Sequence, residues 1–574
     1  MSLAWQPPLA DAAFLLGPWL DVAGDWKRIE RYADLDLDTA NAVLSEAGRF
    51  CADVIAPLNA VGDVQGCRLD AGRVRTPDGF AEAYARFVED GWGSLARDPA
   101  WGGQGLPGLL EVAFSEMQVG ANHAWAMYPG LLSGAVACLE AHADPALQAR
   151  YLPSLVSGEW LATMCLTEPQ AGSDLALLRS RAEPAADGSF RISGSKLFIS
   201  GGSQDLTGNI VHLVLARLPD APPGTRGISL FLVPDLLEDG RRNAVHCDGI
   251  EHKMGLHGSA TTSLRFENAV GWLVGQANRG LGAMFVMMNA ARLYAAMQGV
   301  AHAARACDLA WEYAAQRRQM RTLPRTDPAQ AADPIAAHPP IRHALQALRC
   351  WTEGMRAAGY WLGHLIDLAE HAPGEDERNR SRMLAELLTP VAKAYFTEYG
   401  HTLANRALQV FGGYGYVREY GIEQVVRDSR ITMIYEGTNE IQANDLLQRK
   451  LLADEGARLA VFAGECDAVA ARAQAVGEGA AADLLRRACR RLAAALERVR
   501  DRARVDPELP TRVAGDFLRA TGTVLLSLVC VRTLAVVHAL EDPDARVRGE
   551  RARWMLGELR LDLNAHLARV RAGG

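Results

Sequence analysis

Residues 430–442 (RITMIYEGTNEIQ) place a carboxylate, Glu436, between an aromatic residue and a glycine. In an apolar pocket beside bare backbone, burial disfavours the charge of such a carboxylate and makes it a better proton acceptor once it is ionised. This pattern suits general-base chemistry. Taken alone, however, an exposed turn glutamate ahead of a helix is the better interpretation of the same letters.

Residues 164–174 (MCLTEPQAGSD) combine small hydroxyl and glycine residues. Small side chains let backbone N–H groups approach a ligand closely, and successive N–H groups can form anion-binding concavities. An ordinary strand-to-turn junction has the same composition, so the spacing alone favours neither interpretation.

A polar pair, Asn289 and Arg292, interrupts a long apolar stretch rich in Met and Ala. Residues three apart share one face of a helix, so the two side chains are expected to be neighbours. Such a pair either completes a buried polar network or orients a polar ligand, and alone the structural role is the better interpretation.

The elements that must position these residues change in type along the chain. Helical spacing dominates 37–158, and short β-branched, aromatic-rich segments separated by turn residues dominate 161–275. Helical patterns then return, with a proline-rich interruption at 321–340. The patterns predict a β domain inserted in a helical protein. The predicted division is an N-terminal preface (1–36), a helical domain (37–160), a β domain (161–276), a second helical domain (277–452) and a helical extension (453–574).

Composition restricts the class of protein. The 574 residues are 49% hydrophobic and 22% charged, as in packed globular proteins with several domains. A formal net charge of -8 disfavours a general nucleic-acid binder. The ten cysteines stand singly and no histidine spacing matches a metal site, so we expect neither a redox dithiol nor a metal. We find no secretory signal and no apolar run of ~18 residues, so we expect a cytoplasmic protein without a membrane span.

Together, the segments TEPQAGSD and YEGTNEIQ, in this order and spacing, resemble the two most diagnostic motifs of the acyl-CoA dehydrogenase family. The resemblance runs from about residue 40 to residue 452 and includes the order α, β, α. It implies an α+β fold with an N-terminal helical domain, a central β-barrel-like domain and a C-terminal four-helix domain, with FAD held between them. The extra C-terminal helical segment lies beyond the family's standard length.

The resemblance also assigns flavin contacts. Thr167 would bond the ring system, and Arg317 would bind the FAD pyrophosphate of a neighbouring subunit. Two departures are visible: many members carry an aromatic residue where Ile199 stands, and the arginine motif usually ends in Phe-Gly where this chain has Met320 and Arg321. The implied cofactor-binding residues are Met164, Leu166, Thr167, Gly172, Ser173, Ile199, Ser200, Arg317, Gln409, Gly412, Gly413, Gly437, Thr438 and Glu440.

The implied chemistry is α,β-dehydrogenation of an acyl-CoA thioester to a trans-2-enoyl-CoA. Glu436 would abstract the α proton while the β hydrogen leaves as hydride to the flavin, and the Glu436 N–H with a flavin ribityl hydroxyl would hold the thioester oxygen. Some members carry the base on the long helix, at the position of Ala291 here, so no rival carboxylate is present. The implied substrate-binding residues are Ser173, Asn289, Arg292, Tyr435 and Gly437.

The N-terminal preface, the MNAARL helix and the extension resemble the 3-methylmercaptopropionyl-CoA dehydrogenase subgroup, so 3-methylthiopropionyl-CoA is the first candidate substrate and short- to medium-chain acyl-CoAs are next. Implied partners are electron-transfer flavoprotein and further copies of the chain, as a homodimer or homotetramer. An acyl-CoA oxidase would share every catalytic residue named. Some relatives bind DNA through such an extension, but here arginines and acids interleave, so we expect no nucleic-acid partner. We also expect no membrane partner.

Overall fold

A computed structural model describes residues 4–574. The chain divides into two compact units. One contains residues 4–46, 107–116 and 295–574, and the other contains 47–106 and 117–294. The helices are α1 (Leu9–Phe14), α2 (Val22–Trp26), α3 (Leu37–Phe50), α4 (Leu58–Gln65), α5 (Phe80–Glu89), α6 (Gly108–Ala126), α7 (Leu132–His142), α8 (Pro145–Val156), α9 (Gly280–Gln316), α10 (Pro339–His371), α11 (Glu375–Phe411), α12 (Ile422–Ser429), α13 (Asn439–Asn444), α14 (Ala457–Ala475), α15 (Gly479–Ala503), α16 (Leu509–Val537) and α17 (Pro543–Ala572), with π-helical turns at Leu15–Trp19, Cys51–Ile55 and Asp445–Leu452.

Within the described residues 4–574, the strands lie in two places. A short hairpin lies between α4 and α5, and all other strands lie between α8 and α9. The strands are β1 (Arg68–Asp70), β2 (Arg73–Arg75), β3 (Leu161–Cys165), β4 (Arg181–Pro184), β5 (Phe190–Ser200), β6 (Ile210–Arg217), β7 (Ile228–Pro234), β8 (Val245–Ile250) and β9 (Thr261–Val274). The order of helices, strands and helices confirms the predicted α–β–α arrangement. The β1–β2 hairpin was not predicted from the sequence, because it is a three-residue pairing around a turn in which Ala71 and Gly72 both have positive φ.

The β domain closes on itself. β6 pairs with β7, β7 with β9, β9 with β5, β5 with β4, and β4 returns to β6. β3 and β8 add to this ring as outer partners of β6 and β9. Inward-facing apolar side chains such as Val214, Phe231 and Leu264 fill the interior. Closure removes most free strand edges, which is the usual way an antiparallel sheet avoids unwanted pairing.

Close helix packing defines the larger unit. Gly299 on α9 and Gly400 on α11 meet so tightly that a Cβ built on Gly299 would lie 2.3 Å from the Phe396 carbonyl oxygen. α16 packs against α11 in the same way, because a Cβ on Gly522 would lie 2.4 Å from the ring of Tyr395. The helical extension is therefore packed directly on α11.

The apolar run that the sequence shows in the extension forms the middle of α16. Within residues 4–574, α16 is the one helix whose length and composition would allow it to cross a membrane, and 72% of its most apolar 18-residue window is buried inside the protein. Burial on this scale is typical of the core helix of a helical bundle.

Candidate active site

The first motif lies at the end of β3, in the smaller unit. Leu166, Thr167 and Glu168 follow this buried strand and run beside β5, where the Leu197 N–H donates to the Thr167 carbonyl oxygen at 2.9 Å. Glu168 and Ala171 then bond each other through their backbones and form a tight turn. The motif is thus an extended segment followed by a turn, with its backbone held from one side by β5.

A buried ion pair holds this segment in place. Lys196, which is fully buried on β5, donates from Nζ to Glu168 Oε1 at 2.9 Å and to the Leu166 carbonyl oxygen at 3.0 Å. The Glu168 carboxylate also accepts hydrogen bonds from the N–H and Oγ of Ser180 and from the Arg179 N–H. Burial alone would raise the pKa of Glu168, but the Lys196 ammonium and these donors lower it to about 2. The glutamate of the motif is therefore a structural anion.

The exposed side of the same segment is open. Gly172 and Ser173 are exposed, and a Cβ built on Gly172 would meet no atom within 4 Å. Met164 and Thr167 are half-buried. The segment around Gly172 and Ser173 therefore has open space beside its backbone.

The second predicted flavin segment, at the end of β5, differs from its sequence interpretation. Ile199 is 2% exposed and packs in the barrel core, so its side chain does not face a ligand. Its neighbour Phe198 is 61% exposed and has a φ of 59°. That left-handed backbone, together with a register shift between Lys196 and Ile199, turns the ring outward. The exposed aromatic of this segment is therefore Phe198, which the sequence analysis missed although the adjacent Lys-Leu-Phe-Ile alternation was visible. Ser200 is half-buried at the strand end.

The polar pair on α9 belongs to the smaller unit as well. Arg292 is 5% exposed and donates to Asn289 Oδ1 at 3.3 Å. Asn289 is exposed, so the pair runs from the surface into the packed side of the helix. This geometry confirms that the two side chains are neighbours. A buried guanidinium on an apolar helix is rare without a functional or structural partner.

The second motif lies in the larger unit, between α12 and α13. Glu436 has a φ of 56° and is followed by Gly437 at 83°. Left-handed backbone at a non-glycine residue costs on the order of 1 kcal/mol or more and persists where the surroundings hold it. Thr438 ends this turn by capping α13, accepting a hydrogen bond from the Ile441 N–H, and Glu440 is exposed in the first turn of that helix.

Two side chains fix this strained turn. Lys393, fully buried on α11, donates to the Gly437 carbonyl oxygen at 2.7 Å and to Asn439 Oδ1 at 3.1 Å. Gln442 donates to the Glu436 carbonyl oxygen at 3.0 Å. The two carbonyl groups that follow the Glu436 side chain are thus bonded to residues of α11 and α13, which leaves the half-buried Glu436 side chain on a fixed support.

Tyr435, the residue before the glutamate, is anchored separately. Its hydroxyl donates to Oε1 of Gln298, a residue of α9 that is 1% exposed. This hydrogen bond ties the half-buried Tyr435 side chain to α9.

Four further predicted cofactor-binding residues also lie in the larger unit. Gln409, Gly412 and Gly413 are exposed at the end of α11, and neither glycine would bring a Cβ within 4 Å of another atom. Arg317 lies over the Tyr414 ring, with its guanidinium carbon 5.4 Å from the ring centroid. The structure therefore brings the arginine and the glycine turn together through Tyr414, a contact that the sequence did not reveal.

Three sequence profiles match successive parts of the chain. They are the N-terminal domain of acyl-CoA dehydrogenases over residues 38–159, the middle domain over 163–269 and the C-terminal domain over 278–451. The chain is 42% identical to 3-methylmercaptopropionyl-CoA dehydrogenase from Ruegeria pomeroyi over 535 residues, which cover 91% of this chain and 89% of that protein. The chain belongs to the acyl-CoA dehydrogenase family.

Other similar proteins agree with this assignment. A butyryl-CoA dehydrogenase from Syntrophomonas wolfei is 35% identical over 78% of this chain and 76% of its own length. Among solved structures, the fold is similar to Caenorhabditis elegans ACDH-11 in complex with C11-CoA, with a TM-score of 0.80 at 20% identity over 97% of this chain and 92% of that one. It is also similar to an acyl-CoA dehydrogenase complexed with FAD from Bacillus anthracis, with a TM-score of 0.71 at 21% identity, over 95% of this chain and 90% of that one.

As a member of this family, the protein is an FAD-dependent oxidoreductase that acts on acyl-CoA. Its residues fit the cofactor in each unit. In the smaller unit, the open backbone at Gly172 and the exposed ring of Phe198 suit a flavin ring system. In the larger unit, the exposed turn at Gly412 beside Arg317 suits a phosphate-bearing group, because guanidinium groups and bare N–H groups both bind phosphate oxygens.

Proposed function

We propose that this acyl-CoA dehydrogenase oxidises a short thioether- or alkyl-substituted acyl-CoA, with 3-methylthiopropionyl-CoA as the first candidate, and that Glu436 is its catalytic base. The observation that carries the base assignment is the strained turn: Glu436 is a non-glycine residue at positive φ, and its own carbonyl group and that of Gly437 are bonded to buried side chains. The substrate assignment rests on the 42% identity to the 3-methylmercaptopropionyl-CoA dehydrogenase of Ruegeria pomeroyi.

The mechanism assigns one task to each part of the turn. The Glu436 carboxylate accepts the α proton of the thioester, and its backbone N–H donates to the thioester oxygen, which gains negative charge as that proton leaves. Lys393 and Gln442 keep the carboxylate and the N–H in fixed relation, so little reorganisation accompanies the proton transfer. Bound FAD supplies the acceptor for the hydride that leaves from the β carbon.

On the other unit, Asn289 and Arg292 are assigned to the substrate, and Ser173 to both the substrate and the cofactor. Arg292 orients Asn289, because its guanidinium donates to the amide oxygen and leaves the amide N–H₂ available as a donor. Such a donor suits a carbonyl oxygen of the pantetheine arm. We also propose electron-transfer flavoprotein as the electron acceptor and a homodimer or homotetramer as the assembly, with Arg317 serving a neighbouring subunit.

The test is anaerobic titration of the FAD-loaded enzyme with 3-methylthiopropionyl-CoA, butyryl-CoA and octanoyl-CoA, followed by loss of flavin absorbance. Wild type is compared with Glu436→Gln and with Glu455→Gln. Glu455 is a matched control, because it is an exposed glutamate with the same φ of 56° but lies outside the site.

We expect 3-methylthiopropionyl-CoA to bleach wild type and the control fastest, and Glu436→Gln to slow bleaching ~10²–10⁴-fold or more while retaining FAD. Equal bleaching by Glu436→Gln would reject the base. Faster bleaching by octanoyl-CoA would reject the substrate and leave the base assignment intact. Peroxide formation in air at the turnover rate would replace electron-transfer flavoprotein with oxygen as the acceptor.

A further inference from the structure

A cavity of about 260 Å³ lies in the larger unit, apart from every residue assigned to the active site. One wall is the N-terminal segment 18–25, and the others are α14 and the last turns of α16. The charged residues that line it are Asp21, Asp25, Arg472 and Arg532. A space of this size accommodates a small organic ion rather than a single water molecule.

Arg532 presents its charge to this cavity, and the carboxylates of Glu465 and Asp25 attract it only from beyond ion-pair distance. Its guanidinium carbon stacks 4.2 Å from the centroid of the Trp19 ring. Within residues 4–574, no hydrogen bond and no carboxylate within ion-pair distance accompanies that stacking. Burial, with a further contribution from the neighbouring charge of Arg472, lowers the pKa of Arg532 to about 10. The guanidinium is still charged at neutral pH, and a desolvated charge without a partner is unfavourable.

The stacking contact preorganises Arg532 for an anion. Trp19 is 1% exposed and its indole N–H donates to Thr533 Oγ1 at 3.0 Å, so the ring cannot turn away. Stacking uses the face of the guanidinium and leaves the N–H donors in its plane for another partner. A planar fork of this kind matches the spacing of two oxygens in a carboxylate or phosphate.

Arg472 adds a second cation whose protein partner is weak. The nearest carboxylate oxygen, on Glu465, is 3.8 Å away, and the other oxygen of Glu465 bonds Arg380. Two arginines therefore share one carboxylate. At 3.8 Å the Arg472 contact is an ion pair without a hydrogen bond, so its donors remain open to a ligand.

The acidic residues of the wall do not cancel this charge. Asp25 is already bonded to His364 at 2.8 Å and to Arg28, and burial opposed by these two partners leaves its pKa lowered. Asp21 is exposed at the rim, on a left-handed backbone with φ of 57°. An exposed carboxylate at the rim repels a ligand that is anionic at both ends and accepts hydrogen bonds from one that carries donors.

From this arrangement we infer that the cavity is a binding site for a small oxyanion, a phosphate monoester or a carboxylate, with Arg532 and Arg472 as its guanidinium pair. The ligand places its anionic group against the two arginines and its uncharged, donor-bearing end toward Asp21. Because the walls come from the N-terminal segment and from the extension, the bound ligand joins these two parts of the chain and stabilises the folded state.

The test uses the FAD-loaded enzyme and two probes, inorganic phosphate and acetate, at constant ionic strength set with chloride. Isothermal titration calorimetry gives Kd, and thermal unfolding gives the rise in Tm at saturating probe. Wild type is compared with Arg532→Met, Arg472→Gln and Asp21→Asn. Arg546→Gln is the control, because Arg546 is 84% exposed in its side chain and its loss changes the net charge equally.

We expect each arginine substitution in the cavity to weaken binding of the preferred probe at least ~10-fold and to abolish its effect on Tm, with the control within twofold of wild type. Asp21→Asn is expected to act in the opposite direction and strengthen binding of these two probes, since both are small anions that lack the uncharged end proposed to face Asp21 and are therefore repelled by its carboxylate. The probe with the lower Kd identifies phosphate or carboxylate as the ligand group.

Three results would overturn the proposal. They are no binding of either probe to wild type, binding that Arg532→Met and Arg472→Gln leave unchanged, and binding that the control weakens as much as they do. Phosphate bound elsewhere, for example where FAD or CoA phosphates bind, would produce the second result. If Arg532→Met does not fold, Arg472→Gln and Asp21→Asn still decide the question, because their expected effects have opposite signs.

Discussion

The buried pair of Lys196 and Glu168 supports a quantitative prediction about the flavin segments. Lys196→Met keeps the length of the side chain but removes the ammonium that bonds Glu168 and the Leu166 carbonyl. Glu168 would then remain as a buried anion, because Ser180 and Arg179 still donate to it. Removing one member of a buried ion pair costs ~3–5 kcal/mol, since the remaining charge has lost its partner.

This cost translates into a measurable loss of stability and cofactor. At ~2–4 °C per kcal/mol for a unit of this size, we expect Lys196→Met to lower Tm by ~6–20 °C. Lys196 ties the first flavin segment to β5, which carries the second. We therefore expect FAD to dissociate at least ~10-fold more readily. The assays are thermal unfolding of the FAD-loaded protein and the flavin-to-protein ratio after gel filtration.

A double-mutant cycle isolates the interaction. Glu168→Gln with Lys196→Met removes both charges, so the double variant is expected to be more stable than Lys196→Met alone. A Lys196→Met variant with unchanged Tm and full flavin content would refute the reasoning. So would a double variant that loses the full sum of the two single losses, because the pair would then contribute nothing by its coupling.

The same glutamate predicts a pH dependence. The pKa of Glu168 is about 2 in the folded protein against 4.5 for an ordinary glutamate. A depressed pKa stabilises the folded state above pH 4.5, and this contribution is lost as the pH falls from 4.5 toward 2. We expect Glu168→Gln to be less stable than wild type at neutral pH and the difference to shrink across that interval. Urea unfolding at several pH values measures it, and a constant difference would contradict the assignment.

Three further substitutions test the larger unit. Lys393→Met is expected to lower kcat ~10-fold or more with a smaller change in KM, because it frees the backbone beside the catalytic base. Steady-state assays with an artificial electron acceptor measure both constants, and a rise in KM alone would contradict the prediction. Arg356→Met removes the guanidinium that pairs with two acidic side chains, and we expect it to lower the free energy of unfolding by ~3–5 kcal/mol. An unchanged midpoint of urea unfolding would contradict this expectation. Gly299→Ala forces a Cβ against the Phe396 carbonyl and is expected to lower the free energy of unfolding by ~1–3 kcal/mol. Gly282→Ala on the same helix, where a Cβ meets no atom, is the control and is expected to be neutral or stabilising. Equal effects of the two substitutions would contradict the close contact at Gly299.

The sequence by itself determined the family and the order of the domains. Both diagnostic motifs are runs of eight residues, and their chemistry depends on residue types that stand next to one another in the chain. The hydrophobic patterns of strands and helices are equally local, so the order of helical, β and helical segments could be predicted from the sequence. Asn289 and Arg292 were also predictable as neighbours, since three residues separate them on one helix.

Only the tertiary structure decided how those residues are held. Lys196 stands 28 positions from Glu168, and Lys393 stands 44 positions from Gly437. Nothing in local propensity pairs residues at such separations. From the sequence we expected Ile199 to contact the flavin, but its side chain lies in the core of the barrel and the neighbouring Phe198 is the exposed residue. Which side of a strand faces outward depends on register, and a register shift moves every side chain to the opposite face.

The cavity beside Arg532 illustrates the same limit. Its walls come from residues 18–25, α14 and α16, and Trp19 and Arg532 are separated by more than 500 positions. Sequence patterns report the environment of a residue within a few turns of helix or along one strand. A counter-ion, a stacking partner or a cavity wall is supplied by segments that meet only after folding, so the local motifs identify the chemistry and tertiary packing decides which side chains support it.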